Sequence, residues 1–172
     1  VIDAASADES EQAKLHKLID ELLEKGGVCN EIIVSHLHND HHGGEIALQR
    51  YLLERHGVDV VISTNKLTAE SLSHIKFDKF IEDGNIYNLR DDNVEFFQLQ
   101  TLHTRGHARG LLAFYDEEFG FLISTDNVVG TGTVVIAPPE GNMVDYFESL
   151  NRLKNLPNLR FLCGSHGSAI YD

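Results

Sequence analysis

His36-Leu37-His38-Asn39-Asp40-His41-His42-Gly43-Gly44 places four metal-ligand side chains, His36, His38, Asp40 and His41, within six consecutive positions. An imidazole left neutral and unpaired forfeits hydration when it is buried, and a metal ion that takes up its lone pair compensates. The apolar run Glu31-Ile32-Ile33-Val34-Ser35 leads directly into the stretch. Side chains of an extended segment alternate between faces, so His36 and His38 point the same way and suit one ion. The chain then bends and offers Asp40 and His41 to another. Gly43-Gly44 lets the backbone turn tightly before the next helix. The spacing differs from a helical metalloprotease site, in which two His at i and i+4 flank a Glu base. A surface His tract that binds metal incidentally is the competing reading, but such tracts lack a buried strand before them and a Gly pair after them.

A site for two ions needs more ligands than this loop holds. His107 follows the strand-like Val94-Glu95-Phe96-Phe97-Gln98-Leu99, within Leu102-His103-Thr104-Arg105-Gly106-His107. Asp126 closes the apolar run Gly120-Phe121-Leu122-Ile123-Ser124-Thr125, and His166 follows Arg160-Phe161-Leu162-Cys163-Gly164-Ser165 and precedes Gly167. Each candidate is thus expected at the end of a buried strand.

In this order and context, His36-x-His38-x-Asp40-His41, His107, Asp126 and His166 resemble the metallo-beta-lactamase superfamily of hydrolases, over nearly the whole chain. The resemblance implies that His36, His38 and His107 bind a first metal. It gives Asp40, His41 and His166 to a second and makes Asp126 the bridge, so five of the ten His are used. It also implies an α/β fold, the αββα sandwich, forming a single metallo-hydrolase domain over residues 1–172. Relatives begin with further strands, so the amino-terminal strands are expected to be missing, leaving an exposed sheet edge that invites homo-oligomer formation. A second resemblance rests on Gly130-Thr131-Gly132-Thr133-Val134-Val135-Ile136 and Tyr146-x-x-Ser149-Leu150-x-x-Leu153. It points to the lactamase-beta-like branch, which contains a single-strand-specific endoribonuclease alongside glyoxalase II-like members.

Three positions depart from that pattern. Arg105 stands where relatives of the His-Thr-Pro-Gly-His type carry Pro, which leaves the turn less rigid. Leu111 replaces a second His, and Ser165 replaces a Gly before the last ligand. Contacts behind the ligands are where these changes act, and such contacts tune metal affinity by roughly ten- to a hundredfold.

Two divalent cations about 3.5–4 Å apart share a water, lower its pKa toward neutrality and polarise a carbonyl or phosphoryl oxygen. The expected nucleophile is therefore a metal-bridging hydroxide, oriented by Asp40. Five imidazoles with two carboxylates favour zinc, while mixed nitrogen and oxygen ligands also suit iron or manganese. Of the other His, His42 reads as a residue behind the ligands or in solvent. His103 reads as bonded to backbone, with substrate positioning as its alternative, and His16, His56 and His74 read as solvated. Cys163 reads as core packing.

A net charge of −13 opposes polyanionic partners, which normally meet clustered Lys and Arg. The exceptions to note are Arg105 and Arg109, which bracket His107. No apolar run approaches membrane-spanning length, no secretory leader is present, and two Cys make no disulfide framework, so a cytoplasmic or organelle-matrix chain is expected. Helices are predicted over Ala7–Lys25, Glu45–His56 and Met143–Leu156, strands at Val58–Ser63 and Arg160–Ser165, and a hairpin from Leu111–Tyr115 to Phe119–Ser124. The expected activity is metal-dependent hydrolysis, with single-stranded RNA as one substrate class and a thioester or small ester as its rival. A non-catalytic metal-binding scaffold is the third reading.

Overall fold

The computed structural model describes residues 1–91 and 94–171, and its chain falls into two compact units, Val1–Phe80 and Ile81–Asp172.

The first unit contains α1 (Glu9–Glu24), β1 (Glu31–Val34), α2 (Glu45–His56), β2 (Val61–Thr64), α3 (Lys66–Ser71) and β3 (Lys79–Phe80). Its strands form a parallel sheet in the order β1-β2-β3. Ile32, Ile33 and Val34 are branched residues that fit a pleated buried surface, and all three are buried. The far flank of β1 is occupied by the first residues of the chain. Ile2 makes a parallel bridge to Ile33, and the Asp3 amide donates to the Ile33 carbonyl at 2.8 Å.

Helix α1 starts where Asp8 caps it, accepting from the amides of Ser10 and Glu11. Ile19 joins Ile32, Leu48, Leu52 and Val60 in one core, but Leu18 and Leu22, part of the predicted apolar stripe, are about half exposed at 52% and 48%. Helix α2 has the predicted bounds. Gly57 ends it at φ 68, and the Val58 amide donates back to the Leu52 carbonyl at 3.1 Å. That bond takes Val58 out of the sheet, which is why β2 begins three residues later than its sequence pattern predicts.

The second unit contains β4 (Ile86–Asp91), β5 (Val94–His103), β6 (Leu112–Asp116), β7 (Phe121–Thr125), α4 (Met143–Lys154), β8 (Phe161–Gly164) and β9 (Ile170–Tyr171), with the six strands adjacent in chain order. The predicted hairpin is β6 and β7, closed by the Asp116 carboxylate, which accepts from the amides of Phe119 and Gln98. β5 runs on to His103 because Thr101, Leu102 and His103 pair with Phe114, Ala113 and Leu112. α4 carries the crossover between β7 and β8, the one parallel pair among the described strands of this sheet. Leu102, Ala113, Tyr115, Leu122 and Leu153 pack into one core cluster.

The strand before His166 is less buried than expected. Phe161 is 47% exposed and Cys163 is only partly covered, because β8 has just the two residues of β9 on its outer side. Leu122 is fully buried. Its replacement by alanine should cost about 2–5 kcal/mol, from lost transfer energy and the cavity left, read as a fall in the denaturation midpoint. No helix among the described residues is long and apolar enough to cross a membrane.

Candidate functional site

β1 delivers the first group of candidate ligands. Past Val34 the backbone bends, and the amides of His41 and His42 both donate to the His38 carbonyl, at 2.9 and 3.2 Å. His36 Nε2 comes to 3.0 Å from His38 Nδ1, and the ring of His41 centres 4.1 Å from that of His36. The Asp40 carboxylate, 55% exposed, stands 3.5 Å from His41 Nε2. The two glycines behind this loop serve different purposes. Gly43 turns the chain at φ 109, whereas Gly44 has an ordinary backbone and is needed for space. A Cβ on Gly44 would lie 2.1 Å from the Ala4 carbonyl oxygen.

Asp3 organises the loop from a distance of more than thirty residues in sequence. It sits in the left-handed region at φ 56. Its carboxylate accepts from the Ser35 amide and the Ser35 hydroxyl, both at 2.7 Å, and from His41 Nδ1 at 2.8 Å. The tautomers follow from these bonds. A hydrogen on His41 Nδ1 leaves Nε2 to ligate. The Ser35 hydroxyl spends its only hydrogen on Asp3, so toward His36 Nδ1, 3.0 Å away, it accepts, and His36 likewise keeps its Nε2 lone pair. Sequence reasoning passed over Asp3; the only signal is a carboxylate interrupting an apolar start, Val1-Ile2-Asp3.

The second unit carries the other three candidates. His107 follows β5 after a turn in which Gly106 adopts φ 129. Its Nδ1 lies 2.7 Å from the Val135 carbonyl, which can only accept, so Nδ1 carries the hydrogen and Nε2 the lone pair. That Nε2 is 3.5 Å from Asp126 Oδ2, and His166 Nε2 is also 3.5 Å from the same oxygen. Asp126 follows Thr125, whose φ of 49 is rare for a branched residue. His166 is about half exposed at 48%, and its carbonyl accepts from the Gly130 amide at 2.7 Å.

The arrangement fits a divalent cation on chemical grounds. A neutral imidazole lone pair facing a carboxylate is repulsive unless a proton or a cation lies between them, and two imidazoles meet one oxygen here. Imidazole and carboxylate are also the donor set that zinc, iron and manganese share.

Of the remaining His, His16 and His56 differ from their sequence reading. His42 is buried, with no partner for its Nδ1 among the described residues, and its ring centre is 6.4 Å from that of exposed His74. His16 is not solvated: it stacks on Tyr51 at 3.9 Å, and burial pushes its pKa down. His56 is bound to Asp20 at 2.7 Å rather than free in solvent. Asp20 also accepts from Tyr51, and that bond first and the His56 bond second hold its carboxyl below the usual range. The His103 ring bonds the Arg109 carbonyl at 2.8 Å, the backbone reading made for it.

Residues 1–166 match the family described as the metallo-beta-lactamase superfamily. The chain belongs to that superfamily. It is 30% identical over 139 residues to a hydroxyacylglutathione hydrolase of Prochlorococcus marinus, covering 79% of this chain and 50% of that protein. It is 30% identical over 141 residues to the lactamase-like protein aptB of Emericella nidulans, covering 82% of this chain and 39% of that protein. An atrochrysone carboxyl ACP thioesterase of Cryptosporiopsis is 26% identical over 151 residues, covering 88% of this chain and 41% of that protein. The chain thus spans about half the length, or less, of these curated relatives. A metallo-beta-lactamase from Pontibacter korlensis superposes with a TM-score of 0.72 at 18% identity, covering 99% of this chain and 75% of that one. TTHA1623, solved in a di-iron-bound form, superposes with a TM-score of 0.64 at 23% identity, covering 96% and 81%. The fold of this superfamily member is therefore the metallo-beta-lactamase fold. Within the first unit it brings His36, His38 and His41 together with Asp40 beside them; within the second it brings His107 and His166 onto Asp126.

Proposed function

We propose that this chain is the metal-binding hydrolytic part of a dinuclear hydrolase acting on a thioester or related small ester. In this reading His36, His38 and His107 hold one ion, Asp40, His41 and His166 hold the other, and Asp126 bridges them. Zinc is the occupant we assign. The observation that carries the reading is the convergence of the His107 and His166 Nε2 atoms on one Asp126 oxygen at 3.5 Å. When bound, divalent ions lower the pKa of a shared water and polarise the oxygen under attack. The chain's own residues do the rest. Asp3, Ser35 and the Val135 carbonyl keep three imidazoles in the ligating tautomer. Asp40, exposed beside His41, orients the attacking water and receives its proton.

Similarity to a hydroxyacylglutathione hydrolase and to an acyl-carrier thioesterase supports a thioester. The net charge of −13 supports it too, since a phosphodiester chain would be repelled. Single-stranded RNA is the second reading, and the Gly130–Ile136 and Tyr146–Leu153 patterns favour it. Metal analysis of protein purified without chelator should give two ions per chain, falling in His107→Ala. Turnover of S-acyl glutathione with an inert oligoribonucleotide would support the thioester; the opposite result would overturn it. A metal-loaded chain inert toward both would leave the scaffold reading.

A further inference from the structure

The Tyr146-x-x-Ser149-x-x-x-Leu153 pattern has no part in the reaction above, yet it ties α4 to the segments that carry His107 and Asp126. The Ser149 hydroxyl is buried and donates to the Arg105 carbonyl at 2.6 Å. The Tyr146 hydroxyl donates to the Asn127 carbonyl at 2.9 Å, on the residue after Asp126. Asn142, which caps α4 through its side chain, gives its amide to the Gly106 carbonyl at 2.8 Å. The Asn127 side-chain amide donates to the Thr104 carbonyl at 2.9 Å. All three carbonyls before His107 are therefore fixed from outside the turn.

The packing is as tight as the hydrogen bonding. The backbone of Tyr146 crosses Gly106 so closely that a Cβ at position 106 would lie 2.2 Å from the Tyr146 Cα. Burial pushes the Tyr146 phenol up, so it stays a donor through neutral pH. Arg105 has no ring to fix its φ, as a proline in its place would. Restraint from α4 can substitute for that ring.

We propose that Tyr146 and Ser149 are positioning residues for His107 and Asp126, holding the 104–107 turn and the 126–127 peptide at one fixed spacing in the absence of a proline at position 105. The inference rests on the reading of His107 and Asp126 as ligands. Partners behind metal ligands typically change affinity by about ten- to a hundredfold, whereas a purely structural role would show in stability alone.

The test uses the whole chain, loaded with Co²⁺, with affinity from chelator competition, the visible absorption of the bound ion, and the melting temperature of the metal-free protein. Tyr146→Phe removes one hydroxyl and keeps the ring, and Ser149→Ala removes the other. Each should weaken Co²⁺ binding at least about tenfold and alter the absorption spectrum, and Ser149→Thr, which keeps a hydroxyl, should restore both. Leu153→Ala, in the core of the same helix, should lower the melting temperature of the metal-free chain and leave affinity within about threefold of wild type. Unchanged affinity in Tyr146→Phe and Ser149→Ala would overturn the proposal. So would an equal loss in Leu153→Ala, which would mark a general effect of helix stability. A wild-type chain that takes up no Co²⁺ would overturn the ligand reading itself, and the positioning role with it.

Discussion

Asp126→Ala should lower kcat/KM for a hydrolysed thioester by about a thousandfold or more, ~4 kcal/mol of transition-state stabilisation. Most ligands of a dinuclear centre serve one ion, but two imidazoles converge on a single oxygen of Asp126. Removing the carboxylate takes away an anion that both imidazoles face at the same oxygen atom. Asp126→Asn is the sharper variant, because it keeps the shape and loses the charge. It should fall nearly as far while melting close to wild type. Retention of activity within about tenfold in a folded Asp126→Asn protein would show that the bridge assignment is mistaken.

Asp3→Ala should act on the other half of the proposed ligand set and should be visible without any substrate. Asp3 accepts from three donors, the Ser35 amide, the Ser35 hydroxyl and His41 Nδ1. Without it, His41 is free to take the other tautomer, and the Ser35 hydroxyl no longer has to accept from His36. Metal affinity should fall about ten- to a hundredfold. The buried Ser35 amide, left without a partner, should cost a further ~1–3 kcal/mol of stability in the metal-free chain. A chelator titration and a thermal melt on the same samples would separate the two effects. Normal affinity in a destabilised Asp3→Ala chain would reduce Asp3 to a fold element.

The candidate ligands were legible as candidates because each sits where a strand pattern stops, and imidazoles in such places need a reason. Helix α2 was legible to the residue because Gly57 supplies its left-handed cap. What was not legible depends on chain segments far apart in sequence. Asp3 reads as an unremarkable acid until the Ile2 bridge lays it beside Ser35. The Val135 carbonyl carries no side-chain signature at all. α3 rests on a single Asn65 cap, and β3 and β9 have two residues each, too few for a periodicity to show. The exposure of β8 was missed for a related reason: an apolar run does not say how much of its neighbouring strand is present.

The irregularity at the end of β7 carries a consequence for engineering. Ile123 pairs with Cys163, but the next pairing is Thr125 with Gly164, so Ser124 is an extra residue in a parallel ladder. Its hydroxyl bonds the Val128 carbonyl at 2.7 Å, and Thr125 follows in the left-handed region. An inserted residue reverses the inward and outward alternation of everything after it. Asp126 therefore takes its direction from a miscount between two strands rather than from the strand it follows. Anyone grafting this carboxylate onto another sheet would have to transplant Ser124 and Thr125 with it; a scaffold with perfect pairing would aim the same aspartate at the wrong face.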